Sequence, residues 1–353
     1  MDKRDKRTAA PLMVQGTGSH VGKSVLTAAL CRIFRDRGFK TAPFKAQNMA
    51  LNSFVTRTGC EIGRAQAFQA EAAGVEPTAD MNPVLLKPTG DSVCQVIIHG
   101  RVFGAMSAVE YHSFKKEAGK YVMESYARLA SEYDVIVIEG AGSPAEVNLR
   151  EGDIANMGVA RMTGSPVLLA GDIDRGGVFA SLVGTMELLT PDERERVKGF
   201  VINKFRGDIE LLRPGLDFLS QRTGLPVLGV VPFFDASTLP DEDGVALQGA
   251  GASPRDGGGG EVRIAVLKLP RISNFTDFDP LKLCAGVGLA FIEGPDGLAG
   301  ADMVIIPGTK NTLSDLGWLR ERGFGEALAA FAKGGGMVAG ICGGFQMLGT
   351  SVT

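Results

Sequence analysis

The sequence predicts an α/β protein built on a parallel sheet, with a second and smaller α/β unit behind it. Three observations carry that expectation. Short apolar runs alternate with helix-length segments, a glycine-rich loop sits between the first run and the first helical pattern, and the alternation stops at a glycine-rich stretch and restarts beyond it.

The strand candidates of the first part are the apolar runs at 12–15, 41–44, 93–99, 135–138, 166–170, 199–202 and 227–231. Most are separated by segments of helix length, the signature of a parallel sheet covered on both faces. Near Asp241 the pattern ends, and residues 249–260, closing on the glycine run 257–260, have the composition of a flexible linker. Beyond it, 263–269, 303–306 and 337–339 read as strands and 279–284 and 312–332 as helices. The expected organisation is a disordered tail at 1–10, a first domain at 11–248, a linker at 249–261 and a second domain at 262–353. No internal repeat is visible.

Composition narrows the class. The 353 residues are 44% hydrophobic and 22% charged, ordinary values for a soluble globular chain of about two domains. With 37 basic against 40 acidic residues the net charge is −3, so no nucleic-acid partner is expected. No apolar run approaches the length of a membrane span, and the basic stretch at 3–7 lacks the apolar core of a signal peptide. Five cysteines, Cys31, Cys60, Cys94, Cys284 and Cys342, are odd in number and scattered without a CxxC pair. That usage argues against a disulfide framework or a zinc site and fits a reducing cytoplasm.

The most informative segment is Gly16-Thr17-Gly18-Ser19-His20-Val21-Gly22-Lys23-Ser24, which follows the strand at 12–15 and precedes a helical run at 25–34. A strand that enters a helix through such a loop presents backbone N–H groups and a positive helix terminus to phosphate oxygens. Lys23 reaches the β- and γ-phosphates, and Ser24 offers a hydroxyl to Mg²⁺. The chemistry is therefore expected to begin with ATP or GTP. Thr17 stands where the standard spacing has glycine, and the glycines fall at 16 and 18.

Other polar groups gather at the ends of the same strands. Glu139 closes the apolar run at 135–138, where open α/β sheets place ligands, and a carboxylate there can hold Mg²⁺ together with Ser24; it can equally cap the next turn. Asn203 follows the run at 199–202 and is either a purine-reading amide or a turn residue. After the run at 41–44 come Lys45, Gln47, Asn48, Asn52 and Ser53; after 166–170 come Asp172, Asp174 and Arg175. Loops so rich in amide and charge at strand ends are candidate acceptor-binding loops. Lys45 could neutralise charge passing from the γ-phosphate to an acceptor. Asp172, Asp174 and Arg175 could instead form local ion pairs.

In the second part, Gly340-Ile341-Cys342-Gly343-Gly344-Phe345-Gln346-Met347 reads as a strand, a tight turn and a helix, with Cys342 at the turn. The elbow exposes the thiol at a helix N-terminus, which favours the nucleophilic thiolate. The Gly343 N–H, with Gly308 from Pro307-Gly308-Thr309-Lys310, could hold an oxyanion. A lone cysteine can also be a small buried hydrophobe, a role the flanking glycines do not suit.

Taken in order, GTGSHVGKS, PFKAQNMALNS, IEGAGSPAEVNL, GDIDRGGVFA, VINKFRGD, PGTKNT and GICGGFQMLG resemble the cobyric acid synthase family over residues 11–353. FKAQNMALNS is the most discriminating, because the sister enzyme that makes the a,c-diamide has a different loop there. The resemblance implies a dethiobiotin-synthetase-like P-loop NTPase domain followed by a class I glutamine amidotransferase domain of flavodoxin-like α/β fold. It also implies amidation of adenosylcobyrinic acid a,c-diamide at peripheral carboxylates b, d, e and g, with ATP, Mg²⁺ and glutamine. On that resemblance Gly16, Thr17, Gly18, Val21, Gly22, Lys23 and Ser24 serve ATP, Ser24 and Glu139 the metal, and Asn203 the purine. Lys45 and its loop serve the reacting carboxylate, and Cys342 the glutamine amide. The related a,c-diamide synthase and a P-loop partitioning ATPase are the alternatives, and the latter leaves the cysteine elbow unexplained.

One departure from the family pattern stands out. A class I amidotransferase needs a histidine beyond the nucleophile as general base, whereas His20, His99 and His112 all precede the linker. The expectation is a chain that stops inside its amidotransferase domain and lacks glutaminase activity.

Overall fold

The computed structural model describes residues 8–90, 92–234, 239 and 261–352. The expected tail up to residue 7 and the glycine-rich linker at 249–260 lie outside the described residues; Ala9 is already buried, and the first strand begins at Ala10.

The chain falls into two compact units. The first comprises Met1–Asn48, Phe54–Leu86 and Val96–Leu239; the second comprises Met49–Ser53, Lys87–Gln95 and Pro240–Thr353. The second unit thus includes two short segments from the first 95 residues, a partition that apolar periodicity does not reveal.

The first unit is organised by a six-stranded sheet ordered Val227–Pro232, Val197–Phe205, Val167–Asp172, Ala10–Gly16, Val135–Glu139, Thr41–Phe44. Every neighbouring pair in it is parallel. Its central strands are buried on both faces, which explains their continuous apolar runs. The chain runs from the central strand Ala10–Gly16 to one side and later returns to the other, so the sheet reverses at that strand. The carboxyl ends at such a reversal form the ligand-binding crevice of open α/β sheets. Register sets Val14 opposite Glu139, Gly16 opposite Ala170, Phe44 opposite Ile138 and Asp172 opposite Asn203, so the polar groups that follow these strands share one edge.

The run at 93–99 departs from expectation. Its strand, Val93–Ile98, belongs to a separate four-stranded sheet with Gln47–Met49, Val84–Pro88 and Arg101–Ser107. His99 and Gly100, both at positive φ (48° and 75°), turn the chain directly into Arg101–Ser107. Two left-handed residues between two strands make a tight hairpin turn, so this strand has no helical crossover with which to join a parallel sheet.

The second unit contains a four-stranded parallel sheet ordered Val287–Ile292, Val262–Leu267, Met303–Ile306, Met337–Gly340. In chain order this is 2-1-3-4, the flavodoxin-like arrangement. Val266, Leu267, Ile305, Phe278 and Phe324 are in its core. The helix expected over 312–332 is two, Thr312–Glu321 and Phe324–Lys333, divided at Gly323 with φ 78°.

Trp318, the only tryptophan in the chain, stacks on Phe324 with ring centroids 6.0 Å apart, so its fluorescence reports the second unit. Phe324 is fully buried. Phe324→Ala is expected to destabilise this unit by about 3–5 kcal/mol, read as a lower urea midpoint of the tryptophan transition.

Candidate active site

The helix Lys23–Asp36 begins where Gly22 adopts φ 96°, a left-handed geometry costly to any residue with a Cβ. A Cβ on Gly22 would lie 2.2 Å from Asn203 Nδ2, and one on Gly16 would lie 2.3 Å from Val21 Cγ2. The loop therefore closes on glycine at both ends, and the Thr17 N–H donates to the Ala170 carbonyl at 3.0 Å. Lys23 is buried; its Nζ donates to the carbonyls of Gly18 (2.7 Å) and Gly142 (2.9 Å), the latter in the loop that follows Glu139.

Glu139 is the hub of the site. Its side chain is 1% exposed, and a buried carboxylate must be paired and hydrogen-bonded. Oε1 accepts from Ser24 Oγ at 2.8 Å and from Lys45 Nζ at 3.0 Å. Oε2 accepts from Gln69 Nε2 at 2.6 Å and Gln66 Nε2 at 3.4 Å. Lys45 is itself only 6% exposed, so this is a buried ion pair. Ser24, Lys45 and Glu139, selected separately from three strand ends, thus meet at one oxygen. Ser24 Oγ beside a carboxylate oxygen is a hard oxygen pair of the kind that would suit Mg²⁺.

Across the loop, Asn203 Nδ2 donates to the Val21 carbonyl at 2.8 Å, so this amide braces the phosphate loop from below. Its neighbour Lys204, at φ 61°, donates to the His20 carbonyl (2.8 Å) and to Asp172 Oδ2 (2.7 Å). Arg175 lies 3.8 Å from Asp172, and Arg206 is 3.0 Å from Asp174. The Asp172 to Arg175 loop is therefore tied mainly by cations of the neighbouring VINKFRGD segment.

The segment after Lys45 divides. Gln47 Oε1 accepts from Tyr111 OH at 2.7 Å, and Asn48 Nδ2 donates to Gln66 Oε1 at 3.0 Å, which links Asn48 to the glutamines on Glu139. Asn52 and Ser53 fall in the second unit, where the Ser53 N–H donates to Asn274 Oδ1 at 2.9 Å and Lys87 Nζ to Ser53 Oγ at 3.0 Å.

In the second unit Cys342 adopts φ 49°, ψ −112°, the strained elbow that holds an exposed side chain at a strand-to-helix turn. The turn depends on close backbone approach: a Cβ on Gly344 would lie 2.0 Å from the Ile306 carbonyl oxygen, and one on Gly343 2.8 Å from Thr309 Cγ2. A Cβ built on Gly308 would be 3.7 Å from Cys342 Cβ, so Gly308 flanks the thiol. The Gly308 loop is braced by Asp315, fully buried, which accepts from Thr309 Oγ1 (2.5 Å) and from the Arg271 N–H (3.2 Å). Cys31 is the opposite case: burial, with a contribution from Glu139, pushes its thiol far above the ordinary range.

Sequence reasoning did not single out Gln66, Gln69, Lys204, Asn156 or Asp315. Asn156 holds the loop after Glu139, accepting from the Ala141 N–H (3.1 Å) and donating to the Ala141 carbonyl (2.6 Å). The available signal for Gln66 and Gln69 was two amides three residues apart in an alanine-rich helix, Arg64–Ala73, where both prove buried.

Comparison with known proteins follows the same division. A family model of the CobQ/CobB/MinD/ParA nucleotide binding domain matches residues 12–245, and one of the CobB/CobQ-like glutamine amidotransferase domain matches 263–353. Cobyric acid synthase of Sorangium cellulosum (strain So ce56) is 60% identical over 345 residues, covering 98% of this chain and 66% of that protein. Cobyric acid synthase of Moorella thermoacetica is 57% identical over 345 residues, with the same coverage of 98% and 66%. That of Salmonella gallinarum is 56% identical over 344 residues, 97% of this chain and 67% of that protein. The chain thus spans about 66% of the length of the first two of these relatives.

The left-handed Gly22 generates a prediction. Gly22→Ala places a Cβ against Asn203 at a φ costing about 1–2 kcal/mol, so calorimetric ATP affinity should fall by about tenfold or more.

Proposed function

The chain belongs to the family that joins a CobQ/CobB-type nucleotide binding domain to a CobB/CobQ-like glutamine amidotransferase domain, and from that premise we propose that it carries the ATP- and glutamine-dependent amidation of adenosylcobyrinic acid a,c-diamide. The acceptors are the peripheral carboxylates b, d, e and g, and the product is cobyric acid. The observation that carries this reading is the meeting of Ser24, Lys45 and Glu139 at one carboxylate oxygen, 2.8 and 3.0 Å from it. It joins the phosphate loop to a buried lysine at the same sheet edge.

The roles follow from chemistry. Backbone N–H groups of the loop from Gly16 to Gly22 and the Lys23 ammonium hold the triphosphate. Ser24 and Glu139 would hold Mg²⁺, which would supply charge neutralisation at the phosphates. The acceptor carboxylate takes the γ-phosphoryl group to give an acyl phosphate, which converts a poor leaving group into a good one. Lys45, moving from Glu139 to the transferring group, offsets the charge that passes to the acceptor. Ammonia then attacks the acyl carbon, and phosphate leaves with the carboxyl oxygen. Gln47 and Asn48 line the acceptor side, with Asp172, Asp174 and Arg175 on the opposite loop; Asn203 both braces the loop and faces the purine. Cys342 is the residue placed to attack a glutamine amide carbon as a thiolate, with the Gly343 and Gly308 N–H groups on the oxyanion. His20, His99 and His112 all precede it, so with no histidine base from these residues the chain is expected to amidate with free ammonium and to release little ammonia from glutamine.

With free ammonium as nitrogen donor, mass spectrometry of the corrinoid products separates these roles. Lys23→Ala is expected to lose most ATP binding and all amidation. Lys45→Ala is expected to bind ATP within about twofold of the parent while amidation falls by two or more orders of magnitude. Full amidation by Lys45→Ala would remove this lysine from the reaction.

A further inference from the structure

Gln66 and Gln69 have no role in the steps above, yet both are fully buried against the reacting edge of the sheet. They lie on the inner side of Arg64–Ala73, a helix that buries Ala65, Ala67, Ala70 and Ala73 as well. Small side chains on that face let the helix approach the strand end closely enough for two amides to reach Glu139.

Their orientation is determined by chemistry. The Gln69 amide nitrogen donates to Glu139 Oε2 at 2.6 Å and to the Ser24 carbonyl at 3.2 Å. Both partners only accept, so a flipped amide would set oxygen against oxygen. Among the described residues no side chain or backbone group donates to the buried Gln69 Oε1. Gln66 is fixed in turn: its Oε1 accepts from Asn48 Nδ2 at 3.0 Å, which points its Nε2 at Glu139 Oε2, 3.4 Å away. Two N–H groups therefore hold Oε2, and Oε1 is the oxygen turned toward Ser24 Oγ at 2.8 Å and Lys45 Nζ at 3.0 Å, the ammonium that on the proposed function moves away to the transferring group.

We propose that Gln69, assisted by Gln66, is a positioning residue for magnesium: by holding Oε2 of Glu139 and the Ser24 backbone together, it presents Glu139 Oε1 and Ser24 Oγ as a preformed ligand pair. The proposal rests on the reading of Ser24 and Glu139 as the metal ligands. Groups that orient metal ligands in this way are worth about 10–100-fold in metal affinity.

The test measures Mn²⁺ binding, by electron paramagnetic resonance, to the protein saturated with a non-hydrolysable ATP analogue, comparing the parent with Gln69→Leu and Glu139→Gln. Gln69→Leu should weaken Mn²⁺ binding about tenfold or more, leave metal-free analogue affinity within about twofold, and recover ammonium-dependent turnover at high Mg²⁺. Should Gln69→Leu fail to fold, Gln69→Met, a flexible side chain of similar length, is measured in its place. Parent-like Mn²⁺ affinity in the Gln69 variant, with weakened binding in Glu139→Gln, would overturn the positioning role and leave the ligand reading standing. Parent-like affinity in both variants would overturn the ligand reading, and the proposal with it.

Discussion

Everything in the first unit turns on one buried carboxylate. Glu139, at the end of Val135–Glu139, would be prohibitively costly in the sheet crevice without partners, and it has four side-chain donors: Ser24, Lys45, Gln66 and Gln69. They come from three places in the chain order, the two glutamines sharing the helix Arg64–Ala73, and each is constrained by the need to satisfy the same charge. Removing one partner from a buried ion pair of this kind costs about 3–5 kcal/mol. The same pairing that stabilises the fold also brings Ser24 of the glycine-rich loop, Glu139 and Lys45 together in one place.

The two units solve the problem of exposing a reactive group with the same device. Each runs a parallel strand into a turn that only glycine permits and then into a helix, at the carboxyl edge of the sheet. In the first unit the turn is opened by Gly22 at φ 96°, with the Asn203 amide against its Cα. In the second it is Cys342 itself that takes the strained φ of 49°, made possible by Gly344 lying against the Ile306 carbonyl. On the proposed function, backbone N–H groups would then meet phosphate in one case and an amide oxyanion in the other.

Motifs that depend on local spacing were legible in the sequence. The phosphate loop, the strand ending at Glu139, Lys45 after Thr41–Phe44 and the cysteine elbow are each a strand end plus a few chemically specific residues. What sequence did not show depends on which elements lie side by side. Val93–Ile98 has the apolar content of a sheet strand, but the turn at His99 and Gly100 sends it into a hairpin of another sheet. Gln66 and Gln69 look like surface polar residues of an alanine-rich helix until that helix is packed against Glu139. Lys204 passes as part of a turn until register places it beside Asp172. The assignment of Met49–Ser53 and Lys87–Gln95 to the second compact unit is of the same non-local kind.

The central claim is that ATP, the acceptor carboxylate and Lys45 react around Glu139 through an acyl phosphate. The most direct measurement supplies a corrinoid substrate whose carboxylates carry heavy oxygen, with ATP, Mg²⁺ and ammonium, and follows the label by mass spectrometry. A heavy oxygen in the released phosphate for every amide formed is the expected result, abolished in Lys45→Ala. Amide formation that leaves the phosphate unlabelled would contradict it.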